Sequence, residues 1–283
     1  MKKTNIAIVY FSGTGVTRTY AEVLAEAISA CGCSVESLDV TAYAARQKAP
    51  PLERFDGVIF GFPVYSDFAP KAINSWLPTL EGRGTRCSLF FTYGGRTTGY
   101  AHFHTAMLLA QAGFQLLLTA EFLGRHSLNI GTWRALPDRP NGQDLALARQ
   151  FANLSLERFN QEEPVPLRLQ KPFGYNHAVP TLDAPSTGER HWAHPMRAAE
   201  ACSLCRLCET QCPTQAFNAD TGLSDPTCCI SCLRCARECP EHVITLGAAQ
   251  IPYETFLTNW NLTETMLNAK ESKIITDFRQ ASC

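Results

Sequence analysis

The chain has almost no excess charge and no long apolar run. Its 25 Lys and Arg residues nearly balance 26 Asp and Glu residues, so the formal net charge over 283 residues is −1. This balance gives no electrostatic reason to expect nucleic acid or an anionic membrane surface as a partner. The longest apolar runs, such as 6–11, are strand-sized, whereas a membrane span needs roughly 18 to 20 apolar residues. We therefore expect neither nucleic-acid binding nor a membrane span.

The first residues also lack the pattern of a secretory leader. Met1 to Asn5 lead directly into a strand-like run, with no cleavage site between them. The length exceeds that of one typical domain and indicates two. We therefore expect a two-domain cytoplasmic protein, in a compartment where thiols stay reduced.

Cysteine, in contrast, is abundant, and eight of the 13 cysteines form two near-copies of one pattern. The first ladder is Cys202-x-x-Cys205-x-x-Cys208-x-x-x-Cys212-Pro213. The second ladder begins 27 positions later and is Cys229-x-x-Cys232-x-x-Cys235-x-x-x-Cys239-Pro240. Three closely spaced cysteines followed by a fourth before proline form the run of bacterial two-cluster ferredoxins, in which the fourth cysteine binds the other cluster. The repeat therefore predicts two [4Fe–4S] clusters and electron transfer.

The same spacing predicts the ligands of each cluster. One cluster is expected on Cys202, Cys205, Cys208 and Cys239, and the other on Cys229, Cys232, Cys235 and Cys212. Zinc is the competing interpretation, but zinc sites usually stop at two Cys-x-x-Cys pairs. A disulfide framework fits less well, because the chain is not a small secreted scaffold. Cys228 adjoins Cys229 and is an alternative ligand. The other four cysteines are expected to be free thiols: Cys31, Cys33, Cys87 and Cys283.

The first 125 residues alternate apolar strand-like runs with segments of helical period. Strands are predicted over 6–11, 35–40, 57–62, 87–93 and 115–122, and helices over 16–30, 70–80 and 100–112. A further helix is predicted over 144–159. Such an alternation predicts an α/β fold with a parallel sheet covered on both faces. Five strands fit the doubly wound, flavodoxin-like order, with ligands at the carboxyl ends of the strands.

The loop between the first strand and helix is rich in hydroxyls and glycine: Ser12, Gly13, Thr14, Gly15, Val16 and Thr17. Backbone N–H groups are free at a helix N-terminus, where the helix dipole also favours an anion. The loop has neither the lysine of an NTPase loop nor the dinucleotide glycine pattern. It therefore predicts a site for a singly phosphorylated ligand, with a plain Ser/Thr helix cap as the alternative.

This loop, preceded by Tyr10 and Phe11, resembles the FMN phosphate loop of flavodoxins. Two later segments agree in order. Residues 61–65 resemble the flavodoxin segment beside one side of the flavin ring, and 92–95 resemble the segment beside the other side. The resemblance implies FMN contacts from Pro63, Val64 and Tyr65 and from Thr92, Tyr93, Gly94 and Gly95. Tyr65 and Tyr93 would border the ring, and aromatic side chains independently suit a flat amphipathic heterocycle.

The whole chain resembles the flavodoxin-domain ferredoxins, in which a flavodoxin-like module precedes a two-cluster ferredoxin module. It departs from many relatives at Val16, where they have Asn, so one side-chain hydrogen bond of the loop is missing. The resemblance implies a flavodoxin-like FMN domain over 1–160 and a Pro-rich linker over 161–197. A small α+β two-cluster ferredoxin-like domain over 198–248 and a helical tail over 249–283 would follow.

Together these features predict electron transfer between two [4Fe–4S] clusters and FMN, serving partner redox proteins. The alternative is an FMN-dependent reductase of a small molecule, fed by the clusters. A carrier would expose the flavin edge, whereas a reductase would cover it with the linker or the tail. A third hypothesis is a flavodoxin-like module without flavin that serves only for docking. The residues of the linker, such as Tyr175 and His177, favour a cover.

Overall fold

The computed structural model describes residues 4–182, 194–198, 201–246 and 251–276. Its first part alternates strands and helices as predicted, with boundaries shifted by a few residues at most ends. The elements are β1 Asn5–Tyr10, α1 Val16–Ala30, β2 Ser34–Asp39, β3 Gly57–Pro63, α2 Lys71–Trp76, β4 Arg86–Tyr93, α3 Ala101–Gln111, β5 Gln115–Leu123 and α4 Gly142–Phe159. The second helix is shorter than predicted, because a 3-10 turn containing Pro78 follows Trp76.

The five strands are parallel and stand in the order β2-β1-β3-β4-β5. This is the flavodoxin-like order of a doubly wound sheet. Helices α1 and α4 cover one face through a buried core that includes Leu24 and Phe151. Helices α2 and α3 cover the other face, where Trp76 and Leu109 are buried. The predicted flavodoxin-like α/β fold is therefore confirmed for the parallel part of the sheet.

The segment after α4 lies along this first part before the chain enters the ladders. Leu167 donates its backbone N–H to Leu116 O at 2.7 Å. In the short helix α5 Tyr175–Ala178, the Tyr175 hydroxyl lies 2.7 Å from Nδ1 of His104. The Pro-rich stretch up to residue 182 thus packs on the parallel-sheet module. Most of the remaining linker, residues 183–193, lies outside the described residues.

The ladders belong to a second small arrangement of short elements. These are β6 Met196–Arg197, α6 Leu207–Thr210, β7 Phe217–Asn218, β8 Leu223–Ser224, α7 Arg234–Arg237 and β9 Ile244–Thr245. The strands pair antiparallel in the order β7-β8-β6-β9. A buried cluster with Phe217, Val243 and Ile244 also contains Cys212, Cys235 and Cys239. The cysteines therefore make up much of the interior of this module.

The C-terminal tail differs from the prediction. It contains helices α8 Tyr253–Asn259 and α9 Glu264–Asn268, followed by strand β10 Lys273–Ile275, which pairs antiparallel with β5. The sheet therefore has six strands and not five. Strand β10 covers the free edge of β5, and Lys273 Nζ lies 2.6 Å from the buried Glu121 carboxylate. A three-residue strand is too short to show a period in the sequence, so the helical prediction missed it.

The tail packs both on the parallel-sheet module and on the second ladder. Tyr253, Phe256 and Leu267 share a buried cluster with Leu123 of β5 and Leu233 of the second ladder. Trp133 Nε1 donates to Ile251 O at 2.7 Å, which ties the loop after β5 to the tail. The tail therefore joins both modules. Within the described ranges, no helix has the length and apolar character needed to cross a bilayer.

Candidate functional site

The loop between β1 and α1 is the predicted phosphate loop. Gly15, directly before α1, has φ +97°, a left-handed conformation that L side chains rarely adopt. In the described part of the chain, the backbone N–H groups of residues 13–17 have no hydrogen-bond acceptor. They stand at the positive end of a 15-residue helix. The predicted phosphate loop thus has free donors at a helix N-terminus.

Two hydroxyls of this loop hold its shape. Ser12 is buried, and its Oγ accepts the backbone N–H of Arg18 at 3.1 Å. The Ser12 N–H donates to Thr41 Oγ1 at 2.8 Å. Thr17 is also buried, and its Oγ1 lies 2.8 Å from Oγ1 of Thr92 on β4. Ser12 and Thr17 therefore fix the loop against its neighbours, while Thr14 is more exposed.

The ends of β3 and β4 lie beside this loop, as their parallel order requires. Val64 N–H donates to Thr92 O at 2.9 Å, and Tyr65 packs edge-on against Phe11 with ring centroids 6.5 Å apart. The burial of Tyr65, with a smaller effect of Cys232, raises the pKa of its hydroxyl well above the usual value. Tyr65 is therefore a neutral hydroxyl at the edge of the site.

A cavity of about 590 Å³ opens between these loops. This volume lies within the range of pockets that bind cofactors and drug-sized ligands. Eleven of the thirteen predicted cofactor residues line it: Ser12, Gly13, Thr14, Val16, Thr17, Pro63, Val64, Tyr65, Thr92, Tyr93 and Gly94. Gly15 and Gly95 do not line it, but both have positive φ and shape the loops beside it.

Val16, the residue at which the loop departs from the flavodoxin-like pattern, lines the cavity. A Cβ built on Gly124, in the loop after β5, would stand 2.3 Å from Cγ1 of Val16. The β-branched side chain is therefore packed directly against that loop. Gly124 must lack a side chain for this approach, and Arg125 follows it in the cavity wall.

Several residues that line the cavity were not predicted from the sequence. The tail contributes Phe256 and Trp260, which we call the roof, and the second ladder contributes Cys228, Cys229, Ile230 and Ser231. The Trp260 ring lies 4.1 Å from the Arg96 guanidinium, and Arg96 is paired with Asp67. These residues are distant in sequence, and no motif marks them. Among the described residues, the covering segment is thus the tail, and Tyr175 of the linker packs on α3.

His126 is the histidine that lines this cavity. Its Nδ1 accepts the backbone N–H of Leu128 at 3.1 Å, so a neutral ring carries its proton on Nε2. Burial, with a smaller effect of Arg96, lowers the His126 pKa to about 4, so the ring is neutral at pH 7. A Cβ on Gly94 would stand 2.3 Å from the ring, which explains the glycine there. His102 and His104 are instead bonded to Thr119 and Tyr175.

The structure brings most of the ladder thiols together in two groups. The thiols of Cys232, Cys229 and Cys212 interact with that of Cys235 strongly enough to add to the rise in its pKa, which is caused mainly by burial. The pKa of Cys208 is raised by burial and, more weakly, by Cys202 and Cys205. Cys239 lies in the buried cluster against which Cys202 and Cys208 pack. The same cluster also contains Cys212 and Cys235, so the crossed assignment of Cys239 and Cys212 stays a prediction.

The described part of the chain contains no group of three or more His, Cys, Asp or Glu side chains that could hold a single metal ion. The choice between iron–sulfur clusters and zinc therefore rests on the number and spacing of the cysteines in the sequence. Cys228 lies exposed beside Thr227, with 3.6 Å between its Sγ and the Thr227 hydroxyl.

The second ladder lies directly on the phosphate loop. A Cβ on Gly13 would stand 3.0 Å from the carbonyl oxygen of Cys232 and 3.2 Å from its Cβ. Arg234 donates to the carbonyl oxygen of Ser12 at 3.0 Å. Arg46, in the loop after β2, donates to the carbonyl oxygen of Pro213. The cavity and the second group of thiols are therefore neighbouring parts of one site.

No family model and no curated protein matches this chain. Among solved structures, a flavodoxin from the domain Archaea has 15% identity and a TM-score of 0.42, covering 56% of this chain and 100% of its own. Oxidised flavodoxin 1 from Bacillus cereus has 16% identity and a TM-score of 0.42, with coverages of 54% and 98%. A flavodiiron core from Synechocystis has 21% identity and a TM-score of 0.42, with coverages of 57% and 37%. With values this low, the flavodoxin-like assignment rests on the strand order.

Proposed function

We propose that this chain transfers electrons between two [4Fe–4S] clusters and one bound FMN, and serves redox partner proteins that carry single electrons. When bound, the clusters exchange one electron each and FMN exchanges one or two, so the cofactors supply the redox chemistry. The residues of the chain supply position, burial and charge. The observation that carries this proposal is the contact between Cys232 and Gly13, which joins a predicted cluster ligand to the predicted phosphate loop.

The cavity fits FMN on three counts. Free N–H groups and the Thr14 hydroxyl stand at the N-terminus of α1, where a phosphate is favoured. Tyr65 and Tyr93 line the walls at the ends of β3 and β4, as the resemblance to flavodoxins implies. The strand order places these walls at the switch point between β1 and β3, where doubly wound sheets bind ligands.

The second group of thiols fits a negatively charged cluster on an independent observation. The Arg234 side chain is buried, and its Nε has no hydrogen-bond partner in the described residues. A buried guanidinium N–H without an acceptor costs free energy unless an anion lies nearby. Cys232 and Cys235 flank Arg234 in the sequence, so thiolates around a cluster would supply that anion. We therefore assign Cys212, Cys229, Cys232 and Cys235 to one cluster and Cys202, Cys205, Cys208 and Cys239 to the other.

The roof favours a second candidate function, reduction of a small molecule at the flavin. Phe256 and Trp260 cover the cavity on the side of Tyr93, where a carrier would expose the flavin edge. The cavity wall carries Lys71, Arg96 and Arg125, against the single carboxylate of Asp67. This charge balance suits an anionic substrate, and His126 stands in the same wall. The two functions differ in whether a small acceptor binds beneath the roof.

The first test is the cofactor content of the chain purified without oxygen. We expect about eight irons, a matching amount of acid-labile sulfide and one FMN per chain, since each cluster has four irons. The double variant Thr14→Ala/Thr17→Ala should lose most FMN and keep its iron. Ser29→Ala, an exposed hydroxyl at the C-terminal end of α1 and outside the cavity lining, is the matched control and should keep both.

Each other result has a definite meaning. About eight irons without FMN would leave the hypothesis of a docking module and remove both flavin functions. Unchanged FMN in the Thr14→Ala/Thr17→Ala variant would contradict the phosphate-loop assignment. To separate carrier from reductase, the loaded protein is mixed with a panel of small anionic acceptors. Saturable binding that is lost in Trp260→Ala would favour the reductase, and no binding would favour the carrier.

A further inference from the structure

The two ladders have the same backbone but opposite side-chain order after their second cysteine. Residues 206 and 207 are Arg and Leu, whereas the equivalent residues 233 and 234 are Leu and Arg. Arg206 and Leu233 have φ of 62° and 59°, and each precedes a four-residue helix. The repeat is therefore preserved in conformation and reversed in the position of its arginine.

The exchange of Arg and Leu places the two arginines, Arg206 and Arg234, in different surroundings. Arg206 is exposed and has carboxylates of Asp220 and Glu209 at 2.6 and 3.5 Å, so its charge is balanced and screened by water. Arg234 is 6% exposed and bonds to neutral oxygens, the Ser12 carbonyl and Gln211 Oε1. The carboxylate recorded beside it, that of Glu238, stands 3.9 Å away. Arg234 is thus a buried cation without a close counterion among the described residues.

The guanidinium of Arg46 also interacts with thiols of this group. Arg46 donates to the carbonyl oxygens of Val40 and Thr41 at 2.6 and 2.8 Å, and to that of Pro213. All of its hydrogen-bond acceptors in the described residues are neutral carbonyls. Its electrostatic neighbours include Cys212 and Cys232, and Cys232 also interacts with Arg234. The second group of thiols therefore has two guanidiniums among its electrostatic neighbours, the buried Arg234 and the half-buried Arg46.

We propose that Arg234 and Arg46 are fixed counterions of the cluster on Cys212, Cys229, Cys232 and Cys235, and that they raise its reduction potential above that of the cluster on the first ladder. Reduction adds one electron and one negative charge to a cluster. Fixed positive charges at low dielectric favour that added charge, whereas burial alone disfavours it. The proposal requires that these two guanidiniums, which bond to neutral oxygens, outweigh the effect of burial on the second ladder. The cluster nearer the flavin cavity thereby has the higher reduction potential of the two.

This order of the two reduction potentials rests on the proposed function and adds a direction of electron flow to it. The first ladder is exposed at Cys205, with Leu204 and Leu207 beside it at 52% and 38% exposure. The second ladder is covered by the phosphate loop and the tail. Electrons from a one-electron carrier protein would therefore enter at the exposed ladder, and the higher potential lies on the flavin side.

The test is an anaerobic redox titration of the intact, cluster-loaded chain, followed by EPR, with dithionite as the reductant. We expect two one-electron waves. Arg234→Gln should lower the reduction equilibrium constant of the higher-potential wave about tenfold, which is ~59 mV for a one-electron couple. Arg46→Gln should move the same wave in the same direction. Arg234→Lys, which keeps the charge, should move it less than half as far.

Arg206→Gln is the matched control, because it removes the arginine of the other ladder. It should shift either wave by less than about twofold. The proposal is overturned if Arg234→Gln moves only the lower-potential wave, or neither wave. Should Arg234→Gln lose iron, Arg46→Gln decides by the same criterion. A wild-type chain without about eight irons would refute the proposed function, whereas eight irons with unresponsive waves would refute only this ordering.

Discussion

The first and second ladders are copies in sequence that occupy different surroundings. In the first, Cys205 is exposed, and Arg206 points to surface carboxylates. In the second, Cys232 and Cys235 are buried, and Arg234 reaches the phosphate loop. In each ladder, the spacing of the cysteines specifies the local backbone conformation. The comparison teaches that the repeat specifies the ligands, while the neighbours of each copy specify its electrostatic role.

The difference extends to hydrophobic packing. Leu233 is 1% exposed in the cluster that joins β5, the second ladder and the tail, whereas its counterpart Arg206 faces water. Leu207, the counterpart of Arg234, is exposed as well. The second ladder is thus held by the rest of the protein, and the first is held mainly within its own module. Four predictions test this difference, from the largest expected effect to the smallest.

Removal of one ligand from each ladder should have the largest effect and should separate the two cofactor sites. Cys205→Ser and Cys232→Ser should each lose about four irons, since each disrupts one [4Fe–4S] cluster. Cys205→Ser should retain its FMN. Cys232→Ser should also bind FMN more weakly, because Cys232 contacts Gly13 of the phosphate loop. Iron and FMN contents measured together check both statements. Equal FMN retention in the two variants would contradict the neighbouring arrangement of cavity and second ladder.

Truncation of the equivalent leucine positions should affect stability unequally. Leu233→Ala should lower the free energy of unfolding by about 2–5 kcal/mol, because it leaves a void in a buried cluster. Leu207→Ala should change it by only about 0.5 kcal/mol, because Leu207 is exposed. Denaturant unfolding of the loaded proteins measures both. Similar losses in the two variants would show that the tail does not anchor the second ladder.

A methyl group on Gly13 should disturb the contact that only the second ladder makes. The new Cβ would stand 2.6 Å from the Tyr65 hydroxyl and 3.0 Å from the Cys232 carbonyl oxygen. Overpacking of this kind costs about 1–3 kcal/mol, and we expect FMN affinity to fall accordingly. Gly142→Ala is the control, since a Cβ there meets no atom within 4 Å. FMN titration of the flavin-free proteins gives the result, and unchanged affinity in Gly13→Ala would count against the proposed contact.

The smallest effect is expected at the surface arginine of the first ladder. Asp220→Asn removes the carboxylate that lies 2.6 Å from Arg206. Exposed ion pairs contribute about 0.2–1 kcal/mol, and salt screens them. The difference in unfolding free energy from the wild type should therefore shrink further at 1 M salt. A loss above about 2 kcal/mol would mean that the first ladder depends on its charges as the second does.

The parallel-sheet module was predictable because its signals are local. Strand β1 is a continuous apolar run and α1 has a helical period over 15 residues, so both were found nearly to the residue. The loop between them shows its anion-binding character in hydroxyls and glycines alone. Strand β10 was not predictable, since three residues carry no period and its place depends on the free edge of β5. The expectation of a five-stranded sheet failed for that reason.

The residues of the site also fall into those that local sequence predicts and those that only the fold brings together. Spacing within 11 residues is enough to recognise each ladder, because a short chain can curl around an inorganic body without help from the fold. The crossed ligand sets join both ladders and stay a prediction. Nothing local in the sequence indicates that Trp260 covers the cavity or that Arg234 meets Ser12 across 222 positions. A cover by the linker or the tail was expected, and in the described residues the tail lines the cavity, since Phe256 shares the apolar cluster beside β5.

The parallel fold, the predicted phosphate loop and the pattern of the two ladders thus follow from spacing along the chain. The tertiary structure adds which ladder contacts that loop, which segment covers the cavity and which arginine is buried. These are contacts between distant segments, selected by the burial of apolar surface and by the pairing of a free strand edge. The side-chain order of a repeat cannot reveal them, because both copies encode the same backbone.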